Sequence, residues 1–384
     1  MQKIIAFFMT ILMFFFPRLN LPKADVDKES WTTDYTCVFV HGLSGWGAYS
    51  PANYVMPYWG MLGGDLMKYL NARGFKTAAA TVAPADSAWD RACELYAQLT
   101  GTKVDYGKEH SERCHHPRFG KDFSCFPLIE SFSAEDKINL LGHSFGGATV
   151  LTFLELMANG SEAEKAVTPE DELSGLFTGG KGDWVYSVTA LSAPMNGTSA
   201  YEVMPTLEEH ADARVYLTTD TLNLASTTTQ DGRIADDSAT YDMHIDNAMK
   251  MLEGIETLSH VYYFSLPCCY TEQQADGTWA PKKDMEPLFV SASERMGKYT
   301  GVTEGGCVVD EKWQQNDGLV NTYSARAPFN APQQDLDRDD IRPGIWNVMP
   351  TFDGDHMALQ GGLVYNDNIR ELYVDLLTMI NTLS

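Results

Sequence analysis

Ile138-Asn139-Leu140-Leu141-Gly142-His143-Ser144-Phe145-Gly146-Gly147-Ala148-Thr149-Val150-Leu151 is the stretch on which the reading of this chain turns. Its first four residues, mostly apolar, suit a buried strand. The run from Gly147 onward suits a helix, and between them stands the pattern Gly-x-Ser-x-Gly. A strand that turns sharply into a helix lifts the central serine above the sheet edge. It also aims the first helical N–H groups at any oxyanion formed there. A Cβ at Gly142 or Gly146 would clash where helix passes close to strand. The stretch therefore predicts a nucleophile at Ser144, lifted above the sheet edge.

Outward from this elbow, short apolar strands are predicted at 37–41, 77–82, 138–141, 185–191 and 261–266. Helices are predicted at 62–70, 88–99, 146–157 and 369–383. This alternation implies an α/β architecture: a mostly parallel central sheet with helices on both faces. Sites in such sheets lie beyond the carboxyl ends of the strands. Ser144 is at such an end, and so is His41-Gly42-Leu43-Ser44-Gly45-Trp46-Gly47. The 384 residues fit a single large catalytic domain over 25–384. Two insertions interrupt it: a polar one near 101–127, rich in His, Arg and Cys, and an acidic one near 198–240.

The net charge of −24 argues against a nucleic-acid partner and against strong docking onto anionic lipid. Residues 4–16 are almost wholly apolar behind Met1-Gln2-Lys3 and are followed by Pro17-Arg18. That run is short for a membrane span and fits a secretory signal over 1–24, with an uncleaved anchor as the alternative. The expected location is extracellular. The 7 cysteines are an odd number at irregular spacing, so no disulfide framework is expected.

A serine nucleophile needs a base, and the base needs an orienting acid. In the α/β-hydrolase fold they follow in the order serine, acid, histidine. Of the 9 histidines only His356 lies far towards the C-terminus, in a turn-rich stretch suited to a loop. Asp317, at an Asp-Gly step, is the best candidate acid; Asp353 and Asp355 are alternatives better suited to turn hydrogen bonds. The amides of Phe145 and Leu43 are the candidate oxyanion donors.

With these residues placed, the chain from about Thr36 onward resembles the thermoalkalophilic zinc-containing bacterial triacylglycerol lipases. The motifs are His41-Gly42-Leu43-Ser44-Gly45-Trp46-Gly47, Tyr58-Trp59-Gly60, Trp89-Asp90-Arg91-Ala92-Cys93, Asp105-Tyr106-Gly107, Arg118-Phe119-Gly120, Asn316-Asp317-Gly318 and Trp346-Asn347. The resemblance implies Ser144 as nucleophile, Asp317 as acid, His356 as base, and Leu43 and Phe145 as oxyanion amides. It also implies a structural zinc on Asp90, His110, His116 and Asp242, with His115 and His244 as nearby competitors. Two imidazoles and two carboxylates make a charge-neutral tetrahedral set. Such an ion would pin the 101–127 insertion.

The chain departs from that family in three places. The positions matching its calcium ligands read Ala358 and Leu363, so calcium is not expected. The 198–240 segment is shorter than the family's helical lid, and Pro205 and Glu208-Glu209 disfavour a long apolar helix. Phe145 replaces a glutamine, which leaves the backbone donor intact. The expected activity is a secreted lipase or esterase cleaving acyl esters of glycerol or related alcohols, with transient contact to a lipid interface. The alternatives are a phospholipase, thioesterase or acyltransferase on the same triad, or a binding protein on a hydrolase fold.

Overall fold

The computed structural model describes residues 26–204, 236–362 and 368–384. The expected signal at 1–24, most of the short lid-like insertion including Pro205 and Glu208-Glu209, and Leu363 lie outside them. Among the described residues no helix is long and apolar enough to cross a membrane.

Seven strands build the central sheet: β1 (Thr36–Val40), β2 (Thr77–Ala80), β3 (Ile138–His143), β4 (Val185–Leu191), β5 (Tyr262–Leu266), β6 (Gln333–Asp335) and β7 (Trp346–Val348). Their order is β6-β7-β5-β4-β3-β1-β2. Every neighbouring pair is parallel. The expected α/β class and sheet are thus present. Alternate side chains feed opposite cores, as the two-residue period of a strand requires. Cys37 and Phe39 of β1 join the layer under the helices Leu66–Ala72 and Asn368–Asn381. Val38 and Val40 join the layer under Ala88–Thr100 and Phe145–Asn159.

From β1 the chain moves outward to β2, then returns to the other side of β1 for β3. A crevice opens at the carboxyl ends where strand order reverses this way. His41 and Ser144 both leave the sheet there.

Local chemistry explains the boundaries. The 88–100 helix starts at Ser87, whose side chain accepts from Asp90 N, and ends at Gly101 with φ 62°. The helix expected over 62–70 is instead a 3-10 turn, Met61–Gly63, followed by Leu66–Ala72. Gly64 at φ 91° breaks it, and the Asp65 carboxylate restarts it by accepting from Lys68 N. The 101–127 insertion folds as the pair Lys103–Asp105 and Phe119–Asp122 around the helix Lys108–Cys114. All 7 cysteines are free thiols.

Candidate active site and metal cluster

Strand β3 runs two residues further than expected, so His143 is still in the sheet when Ser144 turns out of it. Ser144 sits at φ 54° and ψ −130°, a strained backbone for a residue with a side chain. The turn closes because glycines flank it. A Cβ at Gly142 would stand 2.3 Å from Gly146 O, and one at Gly146 would stand 2.3 Å from Val40 O.

The Ser144 hydroxyl lies 2.8 Å from His356 Nε2, and His356 Nδ1 lies 2.8 Å from Asp317 Oδ2. Asp317 can only accept at neutral pH, so Nδ1 carries the proton and Nε2 is free to accept from the serine. Asp317 is fully buried and its Oδ1 accepts from Leu319 N at 3.0 Å and Val320 N at 2.8 Å. Burial alone would raise its carboxyl. The His356 ring, together with hydrogen bonds from Ser192 and Val320 N, outweighs burial and holds it below the usual carboxylate range. The other two candidate acids are used elsewhere. Asp353 pairs with Lys282, and Asp355 accepts from Glu286 N at 3.0 Å and Met357 N at 3.1 Å.

The turn after β1 comes close to this hydroxyl: a Cβ on Gly42 would be 3.1 Å from Ser144 Oγ. Leu43 follows in that turn. Phe145 is the first residue of its helix, so its N–H has no intrahelical acceptor. Two residues beyond the expected set brace the corner. Ser192, at φ 45° just past β4, donates its hydroxyl to Asp317 Oδ2. Buried Arg91 donates through Nη2 to His41 O and lays its guanidinium 4.9 Å from the Phe145 ring centre. The signal for Ser192 was its place at a strand's carboxyl end; Arg91 stood unused within a quoted motif.

A second buried group gathers beside the 88–100 helix. His110 Nε2 lies 3.0 Å from Asp90 Oδ1 and 3.5 Å from Asp237 Oδ1. His116 Nε2 lies 3.7 Å from Asp90 Oδ1 and 3.5 Å from Asp237 Oδ2. The Glu164 carboxylate holds the start of the 108–114 helix by accepting from Glu109 N at 3.1 Å and His110 N at 2.8 Å. Trp89 stacks on His110 with ring centres 5.2 Å apart, and Tyr106 meets His116 edge-on at 5.3 Å. His110, Cys114, His116 and Asp237 present ligand atoms within 4.8 Å of one another, a buried group able to hold a metal ion. Cys114 stands behind His110, with Sγ 3.8 Å from Nδ1. Burial lowers the His110 ring's proton affinity. Hydrogen bonds to Asp237 and Asp90 more than reverse this and push it up to about 11.

Here the expected ligand set needs correction. Asp242 is not in that converging group; its Oδ2 accepts from Ala88 N at 2.7 Å and so caps the 88–100 helix from across the fold. Burial drives its carboxyl up to about 7. Asp237 takes the inward place because it precedes the Ser238 cap of the helix Ala239–Met243, whereas Asp242 lies within that helix. The competitors are also elsewhere: His115 ends the 108–114 helix at φ 60°, and His244 stacks on Tyr201.

A parallel sheet with a Ser–His–Asp chain beyond its carboxyl edge defines an α/β protein carrying a nucleophile elbow. Comparison with known proteins makes this specific. The family model described as "Lipase-like, C-terminal domain" matches residues 33–216. The structure of EstA from Clostridium botulinum superposes with a TM-score of 0.81 at 31% identity, covering 96% of this chain and 91% of that one. Lipase 1 from Pelosinus fermentans does so with a TM-score of 0.76 at 30% identity, covering 92% and 100%. The lipase of Staphylococcus hyicus is 28% identical over 368 residues, 88% of this chain and 56% of its own. The chain belongs to this family of bacterial lipases and esterases, the one its motifs resemble. It spans about half the length of the curated staphylococcal relatives it matches.

Proposed function

We propose that this chain is a serine ester hydrolase, one catalytic domain over 25–384, that cleaves acyl esters of glycerol or related alcohols. The observation that carries the reading is the unbroken 2.8 Å and 2.8 Å chain from Ser144 through His356 to Asp317. Ser144 Oγ attacks the ester carbonyl carbon while His356 Nε2 takes its proton. Asp317 holds the tautomer and stabilises the imidazolium. The Leu43 and Phe145 amides stabilise the tetrahedral oxyanion. His356 then protonates the leaving alcohol as the C–O bond breaks. Water, deprotonated by the same imidazole, releases the acid from Ser144.

Asp90, His110, His116 and Asp237 hold a zinc ion. What supports this is the donor chemistry and the buried His116 Nε2, which hydrogen-bonds to no group although two carboxylates lie 3.5 and 3.7 Å away. An ion with four protein ligands cross-links the 101–127 insertion to the 88–100 helix and keeps no open position for water. The positions corresponding to calcium ligands, Ala358 and Leu363, offer no side-chain oxygen.

The short 198–240 insertion supports a reduced lid and a preference for short or medium acyl chains. Rates on an ester series of increasing chain length, for wild type and Ser144→Ala, test the whole reading. Wild type is expected to favour the shorter soluble esters and to be labelled by a fluorophosphonate. Ser144→Ala is expected to lose labelling and on the order of 10⁴- to 10⁶-fold in kcat. Equal rates in the two proteins overturn the assignment. A sharp rise on emulsified long-chain triglyceride overturns the reduced lid alone.

A further inference from the structure

We propose that Tyr58 and His143 are positioning residues that tie the oxyanion turn to the loop carrying the base, an inference that rests on the acyl-transfer reading above. Both side chains are buried and neither is part of the Ser144–His356–Asp317 chain. His143 Nε2 is 2.9 Å from the carbonyl oxygen of His356. A carbonyl can only accept, so Nε2 carries the ring proton and Nδ1 is bare. Tyr58 Oη, 2.7 Å from Nδ1, therefore donates to it. The same phenol oxygen accepts from Gly42 N at 3.1 Å.

The direction of every bond is then fixed. Gly42 N–H donates to Tyr58, Tyr58 O–H donates to His143, and His143 Nε2–H donates to His356 C=O. Both ends are backbone groups. One belongs to the residue before Leu43, whose amide faces the developing oxyanion; the other belongs to the general base itself. A second strut runs alongside: Gly60 N donates to Gln360 O at 2.7 Å. The segment Tyr58-Trp59-Gly60 thus grips the oxyanion turn, the elbow and the loop after the base. Burial, aided by the nearby His356 ring, keeps His143 neutral, its proton affinity lowered to about 3, so the bond directions hold at any working pH. This accounts for a quoted motif and for the variable position of the elbow, neither of which the reaction steps use.

The test uses the full chain with Tyr58→Phe, His143→Leu, their double variant and His143→Gln, on a soluble ester. Each of the first two is expected to lower kcat by about 10- to 100-fold, the scale of small misplacements at a reacting centre. KM should stay within about twofold, because uniform binding is untouched. The double variant should be no slower than the slower single, since one chain is broken once. His143→Gln, whose amide can still donate to His356 O, should recover part of the loss. Wild-type kcat in Tyr58→Phe, multiplicative single effects, or losses confined to KM overturn the proposal. Tyr58→Phe removes one hydroxyl and keeps the ring's packing, so it decides the matter if His143→Leu does not fold. A wild type no faster than Ser144→Ala sinks the hydrolase reading and this one together; an active wild type matched by Tyr58→Phe sinks only this one.

Discussion

The corner around Ser144 and the cluster around Asp90 are both buried and both made of carboxylates and imidazoles, yet they are satisfied differently. At the corner, donor meets acceptor at 2.8 Å on both sides of His356. In the cluster, His116 Nε2 lies 3.5 and 3.7 Å from two carboxylates and bonds to neither. The first arrangement is complete from protein atoms alone. The second leaves that ring nitrogen without a hydrogen bond, the place the proposed cation would fill. Proton affinities diverge in the same way. Burial holds His143, beside the corner, near 3, whereas two carboxylates push His110 up to about 11. A site for proton transfer must be finished before substrate arrives; a metal site is finished by its ion.

The largest expected difference between the regions is catalytic. Asp317→Asn preserves shape but favours the wrong tautomer of His356, and kcat should fall by about 10⁴-fold. Asp237→Asn, the equivalent change in the other region, should leave kcat at low temperature within about threefold, because it touches no reacting atom. Single-turnover rates at 10 to 20 °C, with the fold of both variants verified by circular dichroism, check this. Equal losses would mean that the cluster takes part in the chemistry.

Next in size is stability. Free zinc at 100 times its dissociation constant should stabilise the protein by about 2.7 kcal/mol, and chelation should remove that increment as a drop in Tm. Asp237→Asn should abolish stoichiometric zinc. Asp242→Ala should retain it and lose only the cap on Ala88 N, about 1 kcal/mol. The reverse outcome would restore Asp242 as the ligand. Zinc affinity should rise with pH, since His110 must give up its proton to bind. A link between regions also becomes measurable, because Asp90 faces the cluster while its neighbour Arg91 holds His41 O beside the oxyanion turn. Metal loss should therefore lower the temperature at which activity fails before it lowers activity itself.

How far the sequence carried each region follows from the range of the interactions. The sheet could be read because strand and helix periods are local, and the elbow because its glycines are imposed within five residues. His356 and Asp317 emerged from chain order, which topology constrains. Asp237 was missed because choosing between two aspartates in Asp237-Ser238-Ala239-Thr240-Tyr241-Asp242 depends on which side of a helix cap each falls. Ser192 and Tyr58 act across 125 and 85 residues of chain, through hydroxyls that no local pattern distinguishes from ordinary ones. The breaks at Gly60 and Gly64 were hidden because an apolar run around them mimics a helix.

The last effect concerns acid. His143 is bounded by Tyr58, the Trp59 ring, the His356 ring and carbonyl, and the more distant His41 and Asp317. Its folded proton affinity, near 3, lies below the unfolded value of about 6.5. Between those limits the unfolded chain binds a proton at this site and the folded chain does not. Stability from this group therefore rises with pH from 3 to 6.5 and is flat beyond, with a slope of about 1.4 kcal/mol per pH unit. His143→Gln removes the titrating group and with it that slope. Urea unfolding at pH 6.5, 5.5 and 4.5 should show wild type losing ground to the variant at each step down. Parallel profiles would mean that the ring takes up a proton without leaving its place, and the fixed bond directions between Tyr58 and His356 would have to be given up.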